Sequence, residues 1–75
     1  MGYGMQFRKF LGHKVLIHTK KGEKITGVLT GEDPWFLYIE EATYSSKQDT
    51  REVRALSLHK RGLSLLIDLE EGEGN

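Results

Sequence analysis

The segment 27–39 constrains the fold most, because it predicts two strands joined by a very tight turn. Gly27 lies inside the first predicted strand, where a glycine indicates a sharp bend of the kind that small barrels need. Asp33-Pro34 is a turn signal, and Trp35 follows it where polar residues are usual. The segment therefore predicts a strongly bent strand pair with an acidic and an aromatic residue at its turn.

The rest of the chain predicts a short helix and three further strands. Residues 5–11 fit a short α-helix, because several apolar residues can share one face, and Gly12 suits its end. Alternating apolar residues, typical of strands, recur on both sides of the bent pair, at 14–18, 53–59 and 63–69.

These elements predict a mostly β fold, with a short N-terminal α-helix followed by a five-stranded, strongly bent antiparallel small barrel. We expect a single domain over residues 1–75. The helix occupies 5–11, the barrel 13–69, and a flexible acidic tail 70–75.

The length of 75 residues makes a lone domain marginal. A domain of this size buries only about 60% of the surface that its unfolded chain exposes. The sequence has no Cys for a disulfide and no Cys/His cluster for a structural zinc. Oligomerisation is therefore an attractive source of further burial, and the lack of Cys is compatible with the cytoplasm, where we expect the protein.

The charge balance argues against a protein that grips duplex nucleic acid over its whole surface. Lys and Arg together number 11, as do Asp and Glu, so the formal net charge is zero. The balance permits a local basic patch, since the charged residues of 8–24 are mostly basic. No apolar run approaches the roughly 20 residues of a membrane span, and no signal-peptide core is present, so we expect no membrane partner.

Residues able to carry catalysis do not converge in the predicted fold. His13 and His18 are expected on opposite sides of a strand, which is poor geometry for a metal. Glu40 and Glu41 likewise point to opposite faces. The sequence has no Gly-rich phosphate loop and no G-x-S-x-G motif. We therefore expect no enzyme activity, no catalytic residues, no metal and no cofactor.

Asp33, Trp35 and Arg61 have the chemistry of a nucleotide pocket. Such a pocket needs a flat surface for stacking, a hydrogen-bond partner for the base and a cation near the backbone. Arg supplies charge and a planar set of donors together. The alternative is structural, with Asp33 opening a turn, Trp35 in the core and Arg61 at the end of a hairpin.

The same residues resemble the two motifs of the Sm/LSm family of RNA-binding ring proteins. Gly27, Leu29 and Asp33 have the spacing of the first motif, and Trp35 stands where family members often place the residue that stacks on a base. In the second motif, Arg-Gly is followed by an apolar residue three positions after the Gly, and Arg61, Gly62 and Leu65 match it. The resemblance covers roughly residues 5–70.

This resemblance implies a closed homo-oligomeric ring that binds single-stranded RNA at its pore without catalysis. Rings have seven subunits most often in archaeal-type members and six in the bacterial type, and strand four of one subunit pairs with strand five of the next. The resemblance implies RNA contacts at Asp33, Trp35, Leu37, Lys60, Arg61 and Gly62.

Two departures from the family pattern affect the expected specificity. Leu37 stands where the family usually has an Asn that helps hold the base, and Lys60 stands where an apolar residue usually precedes the Arg. We therefore expect relaxed uridine specificity.

Two other functions compete with RNA binding. The first is a ring-shaped protein-assembly scaffold with a degenerate RNA pocket, which Leu37 and the zero net charge favour. The second is a monomeric SH3-like barrel, in which Trp35, Phe36 and Tyr38 form a peptide-binding groove.

Overall fold

The computed structural model describes residues 7–70, which form a mostly β domain. A 3-10 helix precedes five strands, and a second 3-10 helix separates the last two. In chain order the elements are the helix Phe7–Phe10, β1 (Lys14–Thr19), β2 (Lys24–Glu32), β3 (Phe36–Ser45), β4 (Thr50–His59), the helix Lys60–Gly62 and β5 (Leu63–Asp68). The predicted mostly β fold with five bent antiparallel strands is confirmed.

The N-terminal helix differs in type from the prediction. Its described part is a single 3-10 turn, Phe7–Phe10, rather than an α-helix reaching residue 11. Gly12 follows with φ of 87°, a backbone conformation that glycine adopts without steric cost. Residues 5 and 6 of the predicted helix, and residues 71–75 of the predicted tail, lie outside the described residues.

The strands form one antiparallel sheet in the order β4-β3-β2-β1-β5. The pairing of β2 with β3 shifts register twice, between Thr26 and Val28 and between Leu29 and Gly31, as in β-bulges that bend a sheet. The first shift lies at Gly27, where a Cβ atom would stand only 2.6 Å from Ile39 Cγ2. Glycine is therefore required here by the close approach of β3, at the position where the sequence predicted a bend.

The fully buried core comes from the three central strands. Alternate residues of β1, β2 and the first half of β3 supply it, as the two-residue period of a strand requires. In β3 the alternation shifts by one residue at Glu41, whose φ is 51°, so Ala42 is the next buried residue after Ile39. The core residues are Val15, Ile17, Ile25, Leu29, Leu37, Ile39 and Ala42. Strands β4 and β5 add only partly buried side chains, while Leu65, Ile67 and Leu69 are exposed.

Within residues 7–70, no helix is long and apolar enough to cross a membrane.

Candidate nucleic-acid interface

The turn between β2 and β3 lies beside the 3-10 helix between β4 and β5. The Lys60 N–H donates a 2.8 Å hydrogen bond to the Trp35 carbonyl oxygen. Phe36 is paired with His59 in the β3–β4 ladder directly beside it. The two segments that carry the sequence motifs, far apart along the chain, are therefore adjacent in the fold.

Asp33 organises the β2–β3 turn through both carboxylate oxygens. Oδ1 accepts hydrogen bonds from the backbone N–H groups of Trp35 at 2.9 Å and Phe36 at 2.7 Å, and Oδ2 accepts one from the Tyr38 hydroxyl at 2.5 Å. The hydrogen bond from Tyr38, followed by those from the two N–H groups, holds the pKa of Asp33 below its ordinary value. The same bond raises the pKa of Tyr38. Asp33 therefore shapes the turn and is ionised at neutral pH.

Trp35 presents its side chain to solvent. Its exposed fraction is 56%, which is high for the largest apolar side chain of the chain. Strand β3 begins only at Phe36, so Trp35 does not follow the strand alternation that would have placed it with Leu37 and Ile39. An exposed indole at a structured turn is available for stacking on a flat ring.

Leu37 is not on the surface of this site. Its side chain is 0% exposed and belongs to the core with Ile39, as strand alternation places it. It therefore offers no contact to a base in this conformation, and an Asn here would bury an amide away from water.

Lys60 is also turned inward. Its side chain is 2% exposed, and its Nζ lies 2.8 Å from Oε2 of Glu32, whose side chain is 12% exposed. The Phe7 ring lies over the same ammonium, with 5.3 Å from Nζ to the ring centroid. The positive charge of Lys60 is thus used inside the protein.

Arg61 is exposed and follows the buried Lys60 directly. Its backbone N–H donates to His59 Nδ1 at 3.0 Å, which caps the short helix. Within residues 7–70, its guanidinium makes no ion pair. Gly62 accepts a 2.9 Å hydrogen bond from the Lys20 N–H through its carbonyl oxygen, so it joins this loop to the β1–β2 turn.

Three residues that support this site were not predicted as part of a nucleotide pocket, although Phe36 and Tyr38 were considered for a peptide-binding groove. Phe36 packs edge-on against His59, with 5.0 Å between ring centroids, and Tyr38 holds Asp33. Alternation could have found Phe36 and Tyr38, since it places them on the face opposite Leu37. Nothing local in the sequence marks Glu32, because its partner is 28 residues away.

Residues 7–70 contain no group of three or more His, Cys, Asp or Glu side chains arranged to hold a metal ion. His13 instead pairs with a single carboxylate, with 3.1 Å from its Nδ1 to Asp68 Oδ2. The two residues join the start of β1 to the end of β5.

Comparison by sequence yields no match, either to a family model or to a curated protein. Solved structures match closely in shape. A heptameric archaeal Sm protein is 16% identical with a TM-score of 0.74, and the match covers 88% of this chain and 98% of that one. A P. aerophilum SmAP1 heptamer is 14% identical with a TM-score of 0.73, over 91% of this chain and 97% of that one.

A third solved structure has a different context. A chain of the NatC complex bound to CoA is 13% identical with a TM-score of 0.73, over 92% of this chain and 91% of that one. Two of the three structures are Sm proteins, and each match spans nearly the whole of both chains. The protein therefore has an Sm-like fold.

Proposed function

We propose that this protein binds single-stranded RNA without catalysis, as a homo-oligomeric ring in the cytoplasm. The observation that carries the proposal is the pairing of two loops, in which the Lys60–Trp35 hydrogen bond holds an exposed indole beside the loop of an exposed Arg61. The flat face of an aromatic side chain and a cation are the two groups that a site needs to bind single strands with little dependence on sequence.

The sheet edges support a ring. In residues 7–70, β4 and β5 are the outer strands of the sheet, so each has one side without a partner strand. Pairing β4 of one copy with β5 of the next removes both edges, and rotation closes the assembly. We expect seven copies, as in the two Sm heptamers of similar fold, with six as the alternative.

Apolar surface at these edges is consistent with that pairing. Strand β5 and the residue after it expose Leu65, Ile67 and Leu69. A groove of about 340 Å³ runs along β4, and its apolar lining includes Val53 and Leu56. Apolar side chains from a neighbouring β5 would be buried there, which supplies the burial that a lone domain of this size lacks.

The composition of the site supports weak discrimination between bases. Trp35 can stack on any base, because every base has a π-face. Arg61 suits phosphate, whereas Asp33 is already engaged by three donors and Leu37 is buried. We therefore propose that RNA is held by stacking and charge, and that oligo-U is bound little better than oligo-A.

Native mass spectrometry and RNA titration test the proposal together. The native mass should correspond to a ring of about six to eight chains, through interfaces that cover the free edges. Trp35→Ala and Arg61→Ala should each weaken oligo-U binding while the ring mass is kept, and affinity should fall as salt rises. Lys47→Ala is the control, because Lys47 is an exposed cation in the turn between β3 and β4, away from the proposed site. A folded monomer at micromolar concentration would exclude the ring.

The second candidate function is a ring-shaped scaffold whose partners are proteins. It is favoured by the burial of Leu37 and Lys60, which leaves fewer groups to bind RNA. The NatC complex also contains a chain of similar fold, so the fold occurs within a protein complex. A ring whose RNA affinity is unchanged in both Trp35→Ala and Arg61→Ala would favour the scaffold.

A further inference from the structure

A buried ion pair lies directly under the proposed RNA site. Lys60 is 6% exposed as a residue, and its Nζ donates to Glu32 Oε2 at 2.8 Å. Charged side chains are almost never buried unless they are paired, since removal from water disfavours them strongly. Two apolar side chains at the same place commonly give equal or higher stability. Stability alone therefore does not account for this pair.

The pair joins the two loops of the site at their roots. Glu32 is the last residue of β2, immediately before the Asp33 turn, and Lys60 is the first residue of the 3-10 helix, immediately before Arg61. Lys60 also donates its backbone N–H to the Trp35 carbonyl oxygen at 2.8 Å. Lys60 thus binds both flanks of the turn. Its side chain binds Glu32 before the turn, and its backbone N–H binds the Trp35 carbonyl oxygen after it.

Within residues 7–70, Lys60 is the cation that pairs with the largely buried Glu32 carboxylate. Among residues 7–70, its second oxygen, Oε1, is buried and has no hydrogen-bond partner. Loss of Lys60 would leave the whole carboxylate buried without a cation, so the end of β2 would have to move towards water. The position of the turn is therefore coupled to the position of Lys60.

We propose that Glu32 and Lys60 are positioning residues that fix Trp35 and Arg61 relative to each other before RNA binds. The inference rests on the proposed RNA-binding function and extends it to two residues that do not touch RNA. A site held in its binding geometry loses less conformational freedom on binding, which is the general source of affinity from preorganisation.

The chain is well suited to a direct test, because Trp35 is its one tryptophan. Fluorescence anisotropy and acrylamide quenching of the free protein therefore report on the mobility and exposure of this side chain alone. The decisive variant is Glu32→Leu/Lys60→Met. It removes one negative and one positive charge, so the net charge is kept and long-range attraction of RNA is unchanged.

We expect the double variant to melt near the wild-type temperature, while Lys60→Met alone melts well below it. In the double variant, Trp35 should show lower anisotropy and stronger quenching. Oligo-U affinity should fall roughly threefold to tenfold, the scale of ordering one mobile side chain on binding. Glu32→Gln keeps an acceptor for Lys60 Nζ but leaves the buried ammonium without a counter-charge, so it should also melt below wild type, while the anisotropy and quenching of Trp35 change less than in the double variant. Lys47→Met, at the exposed turn between β3 and β4, is the control and should change neither readout.

A double variant with wild-type anisotropy, quenching and affinity would overturn the inference. If that variant does not fold, Glu32→Gln/Lys60→Gln keeps the test open, because it replaces the ion pair by two amides at the same net charge. Trp35 anisotropy and oligo-U affinity should then fall and quenching should rise, each by less than in the first double variant. No change in these three readouts would again overturn the inference. If the wild-type protein binds no RNA, the proposed function fails, but the fluorescence of the free protein still decides whether the pair positions Trp35.

Discussion

The two turns at the ends of β3 are built in different ways. The turn before β3 contains Asp33 and Trp35, and it is hydrogen-bonded to Lys60 on a separate loop. The turn after β3 is closed by its own residues, with a 2.8 Å hydrogen bond from the Ser46 N–H to the Asp49 carbonyl oxygen. Asp49 also pairs with the nearby Arg51 at 3.2 Å, on the exposed surface.

The difference separates a turn that positions side chains from a turn that only reverses the chain. Local hydrogen bonds suffice to reverse direction, and exposed loop tips tolerate change. Placement of an indole beside an arginine on another loop needs a contact that spans the chain, which Lys60 supplies. Equivalent substitutions in the two turns should therefore have unequal effects.

The largest effect is expected from removing a lysine charge. Lys60→Met should lower the free energy of unfolding by roughly 3 kcal/mol, because it leaves the Glu32 carboxylate buried and unpaired. Lys47→Met, in the second turn, should change it by less than about 0.5 kcal/mol, since the side chain is exposed. Urea denaturation at one fixed protein concentration measures both, and equal effects would remove the distinction between the turns.

The next effect concerns RNA affinity. Trp35→Ala should cost roughly 1–3 kcal/mol per engaged base through lost stacking. Gln48→Ala, in the exposed second turn, should leave affinity unchanged. Fluorescence-labelled oligo-U titrated at constant salt compares the two variants. If Gln48→Ala lowered oligo-U affinity as much as Trp35→Ala does, RNA binding would not depend on the first turn more than on the second.

A smaller effect is expected from lengthening the turns. Two glycines inserted after Lys47 should cost about 0.6 kcal/mol or less, because loop-closure entropy grows slowly with length. The same insertion after Pro34 should cost more, since it displaces the Trp35 carbonyl oxygen from the Lys60 N–H. Thermal melts of the two insertion variants provide the comparison. A larger loss of stability from the insertion after Lys47 than from the insertion after Pro34 would contradict the proposed difference between the two turns.

The smallest effect is the acid dependence contributed by Asp33. Its pKa is lowered in the folded protein, so its contribution to stability is present above the unfolded-state pKa and is lost as pH falls through the folded-state pKa. Asp33→Asn should therefore flatten the stability profile below about pH 4. Tyr38→Phe removes the leading cause and should move the pKa of Asp33 upwards, which an NMR titration of the carboxyl carbon would detect. An unchanged pKa in Tyr38→Phe would show that the backbone N–H groups suffice.

Local pattern in the sequence determined much of this fold. Period-two alternation places Leu37 and Ile39 on one face, and the structure puts both in the core. Asp33-Pro34 indicates the turn, and Gly27 indicates the bend, where a side chain would collide with Ile39. These features were predictable because each depends on residues that are neighbours along the chain or on the backbone freedom of a single residue.

The tertiary structure decided which of the polar and aromatic residues can meet a ligand. Lys60 and Arg61 are adjacent cations in the sequence, yet one is buried and the other exposed. The difference comes from Glu32, a partner 28 residues away that only folding brings within 2.8 Å of Lys60 Nζ. Trp35 is likewise exposed because β3 starts at Phe36, so Trp35 lies in the turn before the strand. The burial of a charge and the start of a strand both depend on contacts between distant segments, so local pattern carries no signal for them.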